Sequence, residues 1–216
     1  MGIQVIDPGI LTTVQDGGRI GYQQYGVTPS GPMDERAFAL ANLLTGNQAG
    51  TEELEMTFAG GRYKFDTDAV IALTGADMKP QINGEPIPMY QAVSVHAGDE
   101  LALGFAEVGC RTYLSVSGGM DIPLVMGSKS TLTSKHLGGI DGRKLQKGDE
   151  ITFTATVSEI PLQEKECCHS QCIRQKRSTY VWLQDLRMTD SHEKSSESFS
   201  GSVRLSQTSA IAKASD

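Results

Sequence analysis

The chain has 216 residues, 38% of them hydrophobic and 21% charged, with a formal net charge of −7. That composition belongs to a folded, soluble chain with room for one large domain or two small ones. The acidic balance excludes nucleic acid as a natural partner, because phosphate binding needs a basic face.

In chain order, the first notable stretch is Leu11–Glu35, LTTVQDGGRIGYQQYGVTPSGPMDE, with five glycines and two prolines. It leads into one well-marked helix. Ser30 or Gly31 can cap it, Pro32 suits the first turn, and Asp34 and Glu35 complement the dipole. Met33, Ala37, Leu40, Ala41 and Leu44 recur at helical spacing as a core-facing stripe, and Gly46 marks the stop. After the helix the pattern becomes short strands. Ala69–Gly75 (AVIALTG) is an apolar run closed by a glycine. Asn83-Gly84 is a hairpin signal between short extended arms. The stretch AVSVHAGDELAL alternates, turns at Ala97–Asp99 and resumes. Arg111–Gly119 alternates and stops at two glycines, and Asp149–Val157 alternates again. Short strands with regular turns predict a mainly β chain with a few short helices, as a barrel or sandwich.

Composition shifts at Pro161. Residues 1–160 hold 23 of the 24 glycines, and residues 161–216 hold 11 of the 19 serines and three of the four cysteines. The domain expectation is therefore a β region over 1–160 and a Ser-rich, disordered tail over 161–216, in which Ser178–Leu186 could form one short strand. With no apolar run near the roughly 18 residues of a membrane span and no leader peptide pattern, the expected compartment is the cytoplasm.

Familiar motifs fail. Gly127–Thr131 (GSKST) lacks the glycine directly before lysine that a phosphate-binding loop needs, and Gly138–Gly142 lacks a dinucleotide register. His96 and His136 are isolated and read as surface or hydrogen-bonded residues. Cys110 reads as a buried, inert thiol. Cys167–Cys172 (CCHSQC) has no second ligand pair at zinc-finger spacing, so no metal is expected. The remaining candidates sit on Gly-rich loops. Asp16, Arg19, Asp34 and Lys129 are candidates for chemistry. Gln15, Ser30, Asp77, Ser128 and Arg143 are candidates for holding a substrate, with Ser130 and Thr131 in the same polar cluster. Cations, hydroxyls and carboxylates together suit a small anionic or amide substrate. The competing reading is that all of these are turn and cap residues.

Taken in order, Pro8–Asp34, Ala39–Asn47, Leu54–Gly61, Val70–Asp77, Tyr113–Thr131 and Leu137–Asp149 resemble the biotin-dependent carboxyltransferase-like family. That family includes the C component of 5-oxoprolinase, the allophanate hydrolase subunit 2 proteins and the last part of urea carboxylase. The resemblance covers about residues 3–157. It implies a cyclophilin-like β-barrel, here incomplete at the C-terminus, since the family's second set of strands has no counterpart after Val157. A frameshift or early stop would account for that loss. The implied function is that of the C component of ATP-dependent 5-oxoprolinase, opening 5-oxoproline to L-glutamate with the A and B components, with ATP bound through the complex. The alternatives it leaves open are biotin-dependent carboxyl transfer to a urea-like amide, and a non-catalytic partner that antagonises a kinase inhibitor. The family's usual arginine is replaced here by Lys129, which keeps the charge and loses the bidentate fork. A barrel short of strands implies poor stability or rescue by a partner, and inactivity alone.

Overall fold

Short runs of alternating side chains, each closed by a tight turn, fold into two antiparallel sheets in a computed structural model that describes residues 1–154. The strands are β1 (Gly2–Asp7), β2 (Leu11–Gln15), β3 (Glu53–Thr57), β4 (Arg62–Phe65), β5 (Ala69–Gly75), β6 (Gln81–Ile82), β7 (Glu85–Pro86), β8 (Ala92–Val95), β9 (Glu100–Ala102), β10 (Arg111–Val116) and β11 (Glu150–Thr152). One sheet has the order β11-β1-β4-β9-β6-β7 and the other β2-β3-β10-β5-β8. The mainly β expectation holds. The barrel takes the form of two sheets that do not close on each other among the described residues. One α-helix, α1 (Glu35–Leu44), and a single 3-10 turn at Gln23–Tyr25 complete the elements among the described residues.

The main core lies between the sheets. The first contributes Ile3, Val5, Tyr63, Phe65, Leu101 and Ile151, and the second Val14, Leu54, Met56, Ile71, Leu73, Leu114 and Val116. Tyr63 is fully buried there, beside the Thr12 hydroxyl at 3.3 Å. Burial pushes its pKa up to about 12.

The second sheet is also covered on its outer face, where Ala37, Phe38 and Ala41 of α1 pack on Tyr113. The Phe38 and Tyr113 rings meet edge to face at 6.1 Å, a favoured aromatic geometry. This double cover explains why all five residues of β3 are buried although their polarity alternates. Leu54 and Met56 point into the main core, and Glu53, Glu55 and Thr57 share the outer face with Tyr113.

Several sequence expectations are met residue for residue. The strand at Ala69–Gly75 is β5, and Gly75 ends it at φ +91°, where a side chain would strike the Arg111 carbonyl. Asn83 (φ 52°) and Gly84 (φ 86°) form the hairpin turn between β6 and β7, both in the left-handed conformation such a turn requires. The AVSVHAGDELAL stretch does not form a hairpin. Its two arms, β8 and β9, belong to different sheets, and the turn carries the chain across.

The helix differs in detail. Its cap is Asp34, whose carboxylate accepts from the backbone N–H groups of Arg36 and Ala37, at 3.1 Å each. Ser30 and Gly31 lie upstream, outside the helix. Met33 is 71% exposed and does not join the core, while Phe38, absent from the expected stripe, is buried. Ala37, Ala41 and Leu44 of the expected stripe are buried together with Phe38, whereas Leu40 is only half-buried. Cys110 is partly exposed rather than buried. The end of the expected Asp149–Val157 strand, the cysteine cluster at Cys167–Cys172, the Ser178–Leu186 strand and the Ser-rich tail lie outside the described residues. No helix among the described residues is long and apolar enough to cross a membrane.

Candidate functional site

The end of β2 runs directly into the polar loop Gln15–Arg19, and this loop docks against residues 125–131. The Asp16 carboxylate accepts hydrogen bonds from the hydroxyls of Ser128 (2.7 Å) and Ser130 (2.6 Å) and from the backbone N–H groups of Lys129 (2.5 Å) and Gly18 (2.9 Å). Burial alone would raise its pKa, but these four donors outweigh burial and hold it below the usual carboxylate value. Arg19 is fully buried. Its guanidinium donates to the carbonyls of Val125 (2.9 Å) and Ser130 (3.1 Å), with Ser128 at 3.5 Å. Lys129 pairs with Glu52 at 3.0 Å and donates to the Met120 carbonyl at 2.9 Å. The charged candidates Asp16, Arg19 and Lys129 are therefore committed to holding loops together.

Gln15 occupies the centre of this region. Its amide nitrogen donates to the Thr13 hydroxyl (2.9 Å) and the Thr131 carbonyl (3.4 Å), and its amide oxygen accepts from Gly31 N–H (3.1 Å). The next residues of the same segment are held by the outer face of the sheet. Glu55 accepts from Met33 N–H (2.9 Å), from the Tyr113 hydroxyl (2.7 Å) and from Arg111 (2.7 Å). The Tyr113 hydroxyl in turn accepts from Asp34 N–H at 2.8 Å. Burial is the largest cause raising the Tyr113 pKa, and Glu55 adds to it. Segment 31–34 is thus laid across the sheet by three side chains, Gln15, Glu55 and Tyr113.

Gln15, Asp16, Arg19, Ser30, Ser128 and Lys129 come together at one end of the second sheet, with Ser130 and Thr131. Asp34 lies next to them through the Tyr113 and Glu55 relay, acting as a helix cap. Two candidates are not brought in. Asp77 is paired with Lys79 at 3.5 Å on an exposed turn. Arg143 forms a two-pronged pair with Asp149, at 2.7 and 2.9 Å, which staples its own loop and lowers the Asp149 pKa.

Glu52, Glu53, Glu55, Tyr113 and Arg111 escaped the sequence reading. In TEELEMTF the two acids Glu53 and Glu55 alternate with Leu54 and Met56. That pattern says which residues share a face, but reads as a solvent-facing one until α1 is seen to cover it. Among the described residues, five buried side-chain polar atoms lack a hydrogen-bond partner: Arg19 Nη1, Ser30 Oγ, Thr131 Oγ1 and both carboxyl oxygens of Glu53.

Comparison with known proteins places this arrangement. The family model described as carboxyltransferase domain, subdomain A and B, matches residues 25–203, which is most of the chain and extends past the composition break at Pro161. The chain belongs to the carboxyltransferase domain family. Among its curated relatives, urea amidolyase of Lachancea kluyveri is 44% identical over 149 residues, covering 68% of this chain and 8% of that protein. The C component of 5-oxoprolinase from Escherichia coli (strain K12) is 40% identical over 149 residues, covering 69% of this chain and 48% of that protein. The crystal structure of the K. lactis urea amidolyase superposes with a TM-score of 0.70 at 41% identity, covering 74% of this chain and 10% of that one. This carboxyltransferase-family chain thus spans less than half of each of these relatives.

Proposed function

We propose that this carboxyltransferase-family chain is the C component of a multi-protein, ATP-dependent 5-oxoprolinase, and that the Gln15 end of its second sheet holds the lactam. The observation that carries this reading is the electrical state of the cluster. Lys129 is paired with Glu52, Asp16 is held by hydroxyls and backbone N–H groups, and Arg19 is held by backbone carbonyls, so what the cluster still offers is mostly neutral hydrogen bonders: the Ser30 and Thr131 hydroxyls, with one guanidinium N–H edge of Arg19. Such a set suits a small neutral amide carbonyl. The names of the relatives point to the same chemistry, since both urea and 5-oxoproline carry a carbonyl bonded to nitrogen.

The residues of this chain do not fit a nucleotide triphosphate. Lys129 is paired with Glu52, Arg19 is fully buried, and the N-terminus of α1, the place where a phosphate would sit, is capped by Asp34. ATP is therefore assigned to the partner A and B components, and no step is routed through it here. Biotin presents a ureido ring of the same hydrogen-bonding type, so the carboxyl-transfer reading differs in its partners rather than in this cluster.

The experiment is reconstitution. The full chain is combined with 5-oxoprolinase A and B components, and glutamate is measured with ATP and 5-oxoproline, beside an arm with urea, a biotin carboxylase and a biotin carrier. Glutamate formation coupled to ATP consumption is expected. Complex formation without turnover in either arm, also in a version extended to the relatives' length, would overturn the enzyme reading in favour of a regulatory partner.

A further inference from the structure

We propose that the end of the second sheet opposite Gln15 is a docking face for a protein partner that inserts a bulky apolar side chain into the cleft beside Arg111 and surrounds it with lysine and arginine. The proposal rests on the multi-component reading above and locates on this chain the surface that such an assembly uses.

Strands β2, β3 and β10 place Leu11, Thr57 and Arg111 side by side at this end, the far end of β2 from Gln15. Phe58 follows Thr57. Its N–H donates to the Cys110 carbonyl and its own carbonyl accepts from Ala106 N–H, both at 2.8 Å. Phe105 forms a backbone bridge with Ala59. The chain thus gathers Phe58, Phe105 and Val108, which are 59%, 73% and 79% exposed. Phe58 also sits at φ 63°, a left-handed conformation that a bulky residue rarely adopts. A glycine there would carry no such strain. The fold holds an aromatic residue in this conformation from both sides and still leaves most of it in solvent. The strained position therefore serves presentation of the ring rather than packing of the core.

Beside these residues lies a cleft of about 430 Å³, lined by Met33, Ala76, Tyr90, Val108, Cys110 and Arg111 among others. Its walls are fixed before any partner arrives. The Tyr90 hydroxyl accepts from Gly75 N–H (3.1 Å) and donates to the Gly75 carbonyl (2.9 Å). Arg111 is held by Glu55 (2.7 Å) and by the Thr57 hydroxyl (2.9 Å). A preformed recess flanked by exposed aromatic residues is the form that a binding hot spot takes. Charge then selects the occupant. On or beside the cleft wall stand four acids, Asp34, Glu35, Asp77 and Glu107, against two cations, Arg36 and Lys79. Lys79 is already paired with Asp77 (3.5 Å) and Glu107 (3.0 Å), and Arg111 with Glu55. A second copy of this chain, itself at −7, would set these acids against their own counterparts in a two-fold contact. A different protein, with basic groups around an apolar projection, matches both the cleft and its rim.

The test titrates the full chain with the 5-oxoprolinase B component by calorimetry, with sedimentation and thermal unfolding of the chain alone. Wild type is compared with a double variant, Phe58→Asn with Phe105→Ser. Asparagine accepts the left-handed backbone, and both replaced rings are exposed. The double variant is expected to unfold no lower than wild type and to lose about thirtyfold or more in affinity for the B component. Glu107→Lys is expected to weaken binding several-fold, and wild-type affinity to fall as salt is raised. Unchanged binding by the double variant overturns the docking face and leaves the 5-oxoprolinase reading standing. Affinity indifferent to both salt and Glu107→Lys overturns the basic partner. Self-association of the wild type that the double variant abolishes would assign the face to a second copy, and a double variant that unfolds lower would mean that the rings are covered within the chain itself. Either result overturns the proposal, and no binding of the B component by wild type overturns it too. Glutamate is read in the same samples after the A component, ATP and 5-oxoproline are added. A complex without turnover fails the amide reading and leaves the docking face in place.

Discussion

At the scale of single residues, two buried carboxyls behave in opposite ways, and each predicts its own pH signature. Asp16 is ionised and held by four donors, so its folded pKa is depressed. Its stabilisation is present above the unfolded value near 3.8 and is lost as pH falls through the folded value. Asp16→Ala frees two buried hydroxyls and two backbone N–H groups, and is expected to cost about 3 kcal/mol in urea denaturation at pH 7. Glu53 is the reverse case. Its folded pKa is raised to about 10 from 4.5. Across that window the folded chain keeps a proton that the unfolded chain has released, so stability falls as pH rises. Its contribution has a slope of about 1.4 kcal/mol per pH unit for one proton. Comparing wild type and Glu53→Gln by denaturation between pH 5 and 9 is expected to show a shallower decline in the variant. Equal slopes would mean Glu53 is ionised when folded. Neither state was legible in the sequence. Asp16 looked like a candidate catalyst because its partners Ser128 and Ser130 are more than a hundred residues away, and Glu53 looked like a surface acid.

At the scale of elements, local chemistry was the most readable level. The Asn83-Gly84 turn, strand β5 with its terminal Gly75, and the position of α1 all follow from short-range rules of backbone conformation and periodicity. The start of the helix was less readable, since Ser30, Gly31 and Asp34 can each cap, and the choice fell to tertiary contacts. Tyr113, Glu55 and Gln15 take the backbone N–H groups of segment 31–34 and leave Asp34 at the cap. Asp34→Ala is expected to lower stability by about 1 kcal/mol, and Asp34→Ser to recover most of it. If the alanine variant matched wild type in thermal unfolding, another residue would be supplying the cap. Glu55→Gln is expected to keep the fold while weakening the anchoring of Met33 and Arg111. Faster amide exchange at Met33 would report that change.

At the scale of the molecule, the alternating strands announced a mainly β fold but not which sheet each strand joins. The turn at Ala97–Asp99 joins two alternating arms and is a crossing between sheets, because β8 finds β5 and β9 finds β4. Those pairings depend on contacts far apart in the chain. The same holds for the site. Spacing proposed nine residues, and the fold gathers Gln15, Asp16, Arg19, Ser30, Ser128 and Lys129, uses Asp34 as the cap of α1, and leaves Asp77 and Arg143 in separate ion pairs. The core between the sheets is continuous, so Leu54→Ala, fully buried beside Val14 and Leu114, is expected to cost about 2–5 kcal/mol by the usual range for such truncations.

The division between gathered and excluded candidates gives the most direct test of the central claim, that the Gln15 end of the second sheet is where the amide substrate is held. ATP-dependent conversion of 5-oxoproline to glutamate is measured in the reconstituted complex for wild type, Gln15→Leu and Asp77→Ala, each shown to be folded. The account predicts that Gln15→Leu loses turnover by about a hundredfold or more while Asp77→Ala stays close to wild type. Full turnover by Gln15→Leu, or loss on Asp77→Ala alone, would contradict it.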